Sequence, residues 1–214
     1  MSEKKSLFIV IEGLDGSGKS TASRQLVEVL NGVCEGHVKQ SYEPHDASCG
    51  GLLIRDILTK KHTGFTPQLL PLAFATNRLD HCDQVIKPWL NAQKGNILLC
   101  DRYYLSSLVY QSSPDFPFEK VMALNEFALK PDIIFFINVD TEACYARMAN
   151  RNQAPELFED RLDESRKKYF DAIDFLRKTR NENIIEINGN GTVSEVVEQL
   201  QREIYKVAPH FKGN

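Results

Sequence analysis

The 214-residue chain predicts an α/β fold, a five-stranded parallel sheet with helices on both faces, and three observations carry that reading. Five short apolar runs rich in β-branched residues alternate with helical stretches, the pattern of a parallel sheet covered on both sides. Residues three and four apart, such as Val193, Val196, Val197, Leu200 and Ile204, mark the helical stretches. The first apolar run also leads straight into a glycine-rich loop and then a helix, a junction suited to binding phosphate.

In chain order, the expected strands are Leu7 to Ile11, His37 to Tyr42, Asn96 to Cys100, Ile133 to Val139 and Asn183 to Ile187. Helical spacing is clearest over Lys19 to Leu30 and Val193 to Tyr205. Between the first strand and the first helix, Gly13-Leu14-Asp15-Gly16-Ser17-Gly18-Lys19-Ser20 fills every fixed position of the pattern G-x-x-x-x-G-K-[ST], and Thr21 follows. Three glycines let successive backbone N–H groups turn toward one centre, and a helix starting near Gly18 adds its positive dipole end. Lys19 is then expected on the β- and γ-phosphates of a nucleoside triphosphate and Ser20 on Mg²⁺, which makes the expected architecture a P-loop NTPase fold. The third strand runs into Asp101-Arg102-Tyr103 at the carboxyl edge of the sheet, where ligands gather in doubly wound folds. An acid there suits the Mg²⁺ shell, and an arginine suits bidentate phosphate binding. The alternative is a surface ion pair closing the strand. Proline-rich Ser113 to Phe118 reads as a loop between two helices, so residues 1–214 are expected to form one domain.

Composition narrows the partners. With 26 basic and 29 acidic residues the formal net charge is −3, so no basic field for nucleic acid is expected. Cys34, Cys49, Cys82, Cys100 and Cys144 are scattered without a C-x-x-C pair, which argues against a disulfide framework or zinc ribbon and suits a reducing cytoplasm. The apolar run before Glu12 is too short for a signal peptide or membrane span, so neither export nor membrane insertion is expected. The phosphate loop alone leaves the reaction open. The chain has no N-K-x-D for guanine and is short for a motor ATPase, which leaves a small phosphotransferase, with a non-catalytic nucleotide-binding protein as the rival from another class.

The segment from Asp101 to Gln111, DRYYLSSLVYQ, resembles the D-R-[YH]-x-x-S-[ST]-x-A-Y-Q element of thymidylate kinases. The loop E-G-L-D-G-S-G-K-S-T, the pair Glu43-Pro44, the stretch Leu72-Ala73-Phe74-Ala75-Thr76-Asn77-Arg78 and Lys130-Pro131-Asp132 are similar to further elements of that family, in the family's order. The resemblance implies transfer of the γ-phosphate of Mg·ATP to dTMP, giving dTDP, with other P-loop nucleotide or deoxynucleoside kinases as the alternative. Phe74 and Arg78 stand four apart on an expected helix, so a ring that stacks on thymine and a guanidinium that donates to it can share one face. The same spacing fits a core phenylalanine beside a solvated arginine.

By the resemblance, Asp15 accepts from the sugar 3′-OH, Arg102 binds the dTMP phosphate, Ser107 and Gln111 read the base, and Tyr110 stacks under the deoxyribose. Arg55 approaches the same phosphate, Asp101 joins Ser20 at Mg²⁺, and the acceptor region covers about 43–80. A lid at about 147–160 carries Arg147 on the ATP side and Arg151, the favoured catalytic arginine. With Gly16 in the loop, this arrangement resembles the bacterial-type branch that supplies arginines from the lid. The expected catalytic set is Lys19, Asp15, Arg102 and Arg151, and the family likeness also implies a homodimer. No general base is needed, because a nucleoside monophosphate with a second pKa of about 6 is mostly dianionic at neutral pH. His37, His62, His81 and His210 are accordingly read as structural or surface residues. Two departures stand out: His45-Asp46-Ala47-Ser48 replaces the family's Gly-Gly-Thr, and Leu157-Phe158-Glu159 replaces an expected arginine after the lid.

Overall fold

Every residue of strand β1, Leu7–Gly13, is buried, which a strand reaches only when covered on both faces. In the computed structural model, which describes residues 5–33, 37–149, 157–158 and 161–211, β1 is the middle of a five-stranded sheet in the order β2-β3-β1-β4-β5. The other strands are β2, Val38–Tyr42; β3, Ile97–Asp101; β4, Ile133–Asn138; and β5, Ile184–Asn188. All four pairings are parallel. The five expected strands are thus all present. Two bounds matter for the site: β1 runs two residues further than expected and takes in Glu12, and β3 ends on Asp101.

Helix α1, Lys19–Val33, turns Ala22, Leu26 and Leu30 inward and packs against α9, Val193–Val207. A reciprocal capping box between Thr192 and Glu195 starts α9. Its buried stripe is Val196, Val197, Leu200 and Ile204, while Val193, at the first helical position, remains exposed. Helix α2 covers Gly51–Leu58 and packs on α3, Leu69–His81. A π turn at Cys82–Ile86 leads into α4, Lys87–Ala92. Helices α5, Tyr104–Gln111, and α6, Phe118–Leu124, flank the expected proline-rich loop, and α7 spans Thr141–Ala149.

Helix α8, Leu162–Arg180, is the longest described and has no counterpart among the elements expected from sequence. Its buried residues Leu162, Tyr169, Ala172, Ile173 and Leu176 are separated by a dense run of charges, which hides the stripe. It packs on α5. Because β1 lies between β3 and β4, the chain leaves the sheet at Gly13 beside the end of β3, at the switch point where such folds bind ligands.

Candidate active site

The glycine-loop side of the site is built mostly from backbone. Gly16 has φ +80°, and a Cβ there would lie 2.5 Å from the Cys144 carbonyl oxygen of α7, so both conformation and space exclude a side chain. Lys19, at the start of α1, is buried and donates to the Leu14 carbonyl at 2.7 Å. Burial lowers its pKa, and the nearby Arg102 guanidinium adds to that. One open cavity is lined by Asp15, Gly16, Gly18, Lys19, Ser20 and Thr21, together with Tyr42, Arg55 and the end of β3. Arg147, exposed on α7, places Nη1 3.4 Å from the carbonyl oxygens of both Gly16 and Ser17. Arg151 lies outside the described residues.

Ser20 Oγ donates to Asp101 Oδ2 at 2.6 Å, and Asp101 Oδ1 is buried with no partner among the described residues. An unused carboxylate oxygen beside a hydroxyl is the oxygen donor set that Mg²⁺ takes, so the two residues fit that ion.

A second cavity adjoins the first and shares Asp15, Glu43, Arg55 and Arg102 with it. Its remaining wall includes Pro44, Phe74, Arg78, Ser106, Tyr110, Gln111 and Phe158. Phe74 and Arg78 do share a face of α3, and both reach the cavity. Arg78 is not solvated: at 1% exposure it donates from Nε to Glu43 Oε2 at 2.7 Å and from Nη1 to Asn125 Oδ1 at 2.5 Å. No described residue accepts from its Nη2. Arg102 pairs with Asp15 at 2.5 Å and lies over the Tyr110 ring at 5.4 Å. Arg55 is held by Asp46, one of the residues that depart from the family pattern, at 3.1 Å. Ser107 is buried but is not part of either cavity wall; its neighbour Ser106 is. Burial pushes the Tyr110 phenol up to about 12, so its hydroxyl stays neutral near pH 7.

A family model described as thymidylate kinase matches residues 11–200. The chain belongs to the thymidylate kinase family. A probable thymidylate kinase of Methanococcus aeolicus is 33% identical over 200 residues, 92% of this chain and 95% of its own. One of Methanocaldococcus jannaschii is 34% identical over 215 residues, 95% and 98% of the two chains. A thymidylate kinase of Exiguobacterium sp. is 30% identical over 199 residues, 91% and 92%. Such coverage takes in both cavities and not the phosphate loop alone.

Some residues of this thymidylate kinase family member escaped the sequence reading. Glu43 was singled out only as half of a motif, yet its carboxylate anchors both Arg78 and His81 Nδ1, the latter at 3.2 Å. Glu43, His81 and Cys100 bring potential ligand atoms within 4.8 Å of one another, but the carboxylate is already committed and Ser41 occupies His81 Nε2 at 2.7 Å. Phe158, within the Leu157-Phe158-Glu159 stretch that replaces an expected arginine, stacks on Tyr110 at 5.1 Å. Glu12 was visible as the lone charge ending an apolar strand, a position charged side chains rarely occupy without partners.

Proposed function

We propose that the two cavities divide the reaction, with Mg·ATP in the glycine-loop cavity and dTMP in the cavity walled by Phe74, Arg78 and α5. Family membership makes the chain an ATP-dependent dTMP kinase that yields dTDP. One observation supports the division most directly. Of the seven buried side-chain polar atoms that find no partner among the described residues, three belong to the cavity-lining residues Asp101, Tyr110 and Gln111, and two more to Ser17 and Ser107 on the same loop and helix. Buried polar groups are normally satisfied, so such a concentration suits surfaces that a ligand completes.

In this reading Gly13, Leu14, Asp15, Gly16, Ser17, Gly18, Lys19, Ser20 and Thr21 surround the triphosphate, with Arg147 above the loop. Ser20 and Asp101 hold Mg²⁺, which supplies charge neutralisation on the phosphates when bound. Phe74 stacks on thymine, Nη2 of Arg78 donates to it, and Ser107 and Gln111 complete base reading. Tyr110 lies under the deoxyribose, Asp15 takes the 3′-OH, and Arg102 and Arg55 take the acceptor phosphate. The dianionic phosphate attacks without a protein base, so Lys19, Arg102 and a lid arginine act by alignment and charge stabilisation.

The space excluded at Gly16 supports a bacterial-type branch in which arginines come from a lid at about 147–160, with Arg151 as the catalytic candidate. The acceptor segment covers about 43–80 of a single 1–214 domain. Exposed Leu52 and Leu53 on α2 and Leu72 and Leu79 on the adjoining α3 offer a second copy an apolar face, which supports a homodimer. Four unpaired thiols at Cys49, Cys82, Cys100 and Cys144 suit a cytoplasmic setting. No helix of the described residues is long and apolar enough to cross a membrane.

A coupled ADP-release assay across nucleosides and monophosphates tests the acceptor. Turnover greatest with dTMP is expected. Preference for another monophosphate or a nucleoside would move the chain to a different kinase specificity, and no turnover with any acceptor would make it a nucleotide-binding protein.

A further inference from the structure

Arg102 has φ +68°, a backbone state that a non-glycine residue keeps only where surrounding contacts impose it. Those contacts converge on Glu12, fully buried in β1. Glu12 Oε1 accepts from the backbone N–H groups of Tyr103 at 2.8 Å and Ser106 at 3.1 Å. Helix α5 has no capping side chain of its own, so the neighbouring strand supplies the cap. Glu12 Oε2 accepts from Ser106 Oγ at 2.6 Å and from the Tyr169 hydroxyl of α8 at 3.2 Å.

The same two hydroxyls accept from Arg102 Nη1, at 3.0 Å for Ser106 and 3.3 Å for Tyr169. A guanidinium only donates and an ionised carboxylate only accepts, so the Ser106 hydroxyl is oriented from Arg102 toward Glu12, while the single Tyr169 proton is shared between Glu12 Oε2 and the Gly13 carbonyl of the same strand, at 3.1 Å. Burial raises the Glu12 pKa, while Arg102 and the Ser106 donors oppose that shift. Neither Glu12 nor Tyr169 belongs to a cavity wall, so neither is placed to touch a substrate.

We propose that Glu12 and Tyr169 are positioning residues for Arg102. Through the two hydroxyl bridges they fix Nη1 of its guanidinium, beside the pair that Nη2 makes with Asp15, aim the group at the acceptor phosphate, and lock α5 to the strand that carries the phosphate loop. The inference rests on the assignment of Arg102 to that phosphate.

Calorimetric binding of dTMP and of thymidine, which lacks the phosphate, tests it. Tyr169→Phe removes one oxygen and keeps the ring that stacks on Phe136 at 4.9 Å. The variant is expected to weaken dTMP binding about five- to tenfold, the size of one ordinary lost hydrogen bond, and to leave thymidine binding unchanged. Glu12→Gln should act in the same direction and more strongly. Equal weakening of both ligands by Tyr169→Phe would reduce Tyr169 to a structural role, and no weakening of dTMP would remove the coupling altogether; either result overturns the inference. Arg102→Ala separates the two levels. If it weakens dTMP alone, only the positioning role is at stake in the Tyr169 result; if it spares dTMP, the assignment of Arg102 falls and the inference with it.

Discussion

The two cavities that meet at Asp15, Glu43, Arg55 and Arg102 are built on opposite plans. The cavity proposed for the donor is lined mainly by one stretch, Asp15–Thr21, which offers backbone N–H groups, a helix end and one lysine. The acceptor cavity is assembled from side chains of β2's exit, α2, α3, α5 and Phe158, and its three arginines are each paired with a carboxylate: Arg55 with Asp46, Arg78 with Glu43 and Arg102 with Asp15. A backbone site confines the effect of a side-chain change to the ligand. A site made of interlocked charges passes the change to its neighbours.

The largest effect therefore belongs to the donor side and should leave the fold alone. Lys19→Ala is expected to lower kcat roughly a thousandfold or more, as expected for loss of the charge at the transferring group. Its melting temperature should stay near that of the parent, since burying an ammonium costs stability and its one side-chain bond among the described residues is to Leu14 O. Steady-state kinetics with a thermal melt read both. A melt lowered by many degrees would erase the contrast between the two cavities.

Arg78→Ala should behave in the opposite way. It leaves the Glu43 carboxylate buried, with His81 Nδ1 as its remaining side-chain neighbour, and breaking a buried pair from one side costs about 3–5 kcal/mol. For a chain of this size that corresponds to a melting temperature lower by roughly 10 °C, accompanied by a higher KM for dTMP. An unchanged melt would show that the pair adds nothing to the fold and that Arg78 serves the ligand alone.

The same contrast governs what the sequence made legible. The donor loop could be read from residues alone because its chemistry needs a fixed local spacing. The strands could be read as well: β1, β3 and β4, buried along nearly their whole length, are continuous apolar runs, and the half-exposed edge strands β2 and β5 keep shorter apolar segments between turns. The acceptor wall was reachable only through family likeness, since Glu43, Phe74, Arg78 and Gln111 converge across almost seventy positions with no periodic signal. Helix α8 was missed because charges crowd its buried stripe, and with it went Tyr169. Ser106 lines the cavity but is not singled out beside Ser107: a one-residue step on a helix turns the side chain by about 100°, and the motif alone does not separate the roles of the two serines.

Phe74→Ala isolates the acceptor side from its charge network, because the ring takes part in no ion pair. Loss of stacking on a base, about 1–3 kcal/mol, should raise the KM for dTMP roughly tenfold while the KM for ATP and the melting temperature hold. Movement of the ATP constant instead would place the base elsewhere.

The smallest expected effect tests where the donor cavity stops being a backbone site. Arg147 is exposed, and its two contacts to the loop carbonyls, at 3.4 Å, are long for hydrogen bonds. An exposed cation near phosphates acts through a field that salt screens over about 8–10 Å at ordinary ionic strength. Arg147→Ala should therefore raise the KM for ATP only about threefold at low salt, a fraction of what a buried charge-assisted bond contributes. The difference from the parent should shrink as salt is added, while the KM for dTMP stays put. A fall in kcat of a hundredfold or more would instead make Arg147 the arginine that meets the transferring phosphoryl group, displace Arg151 from that role, and show that the donor side also depends on a side chain brought in from a distant helix.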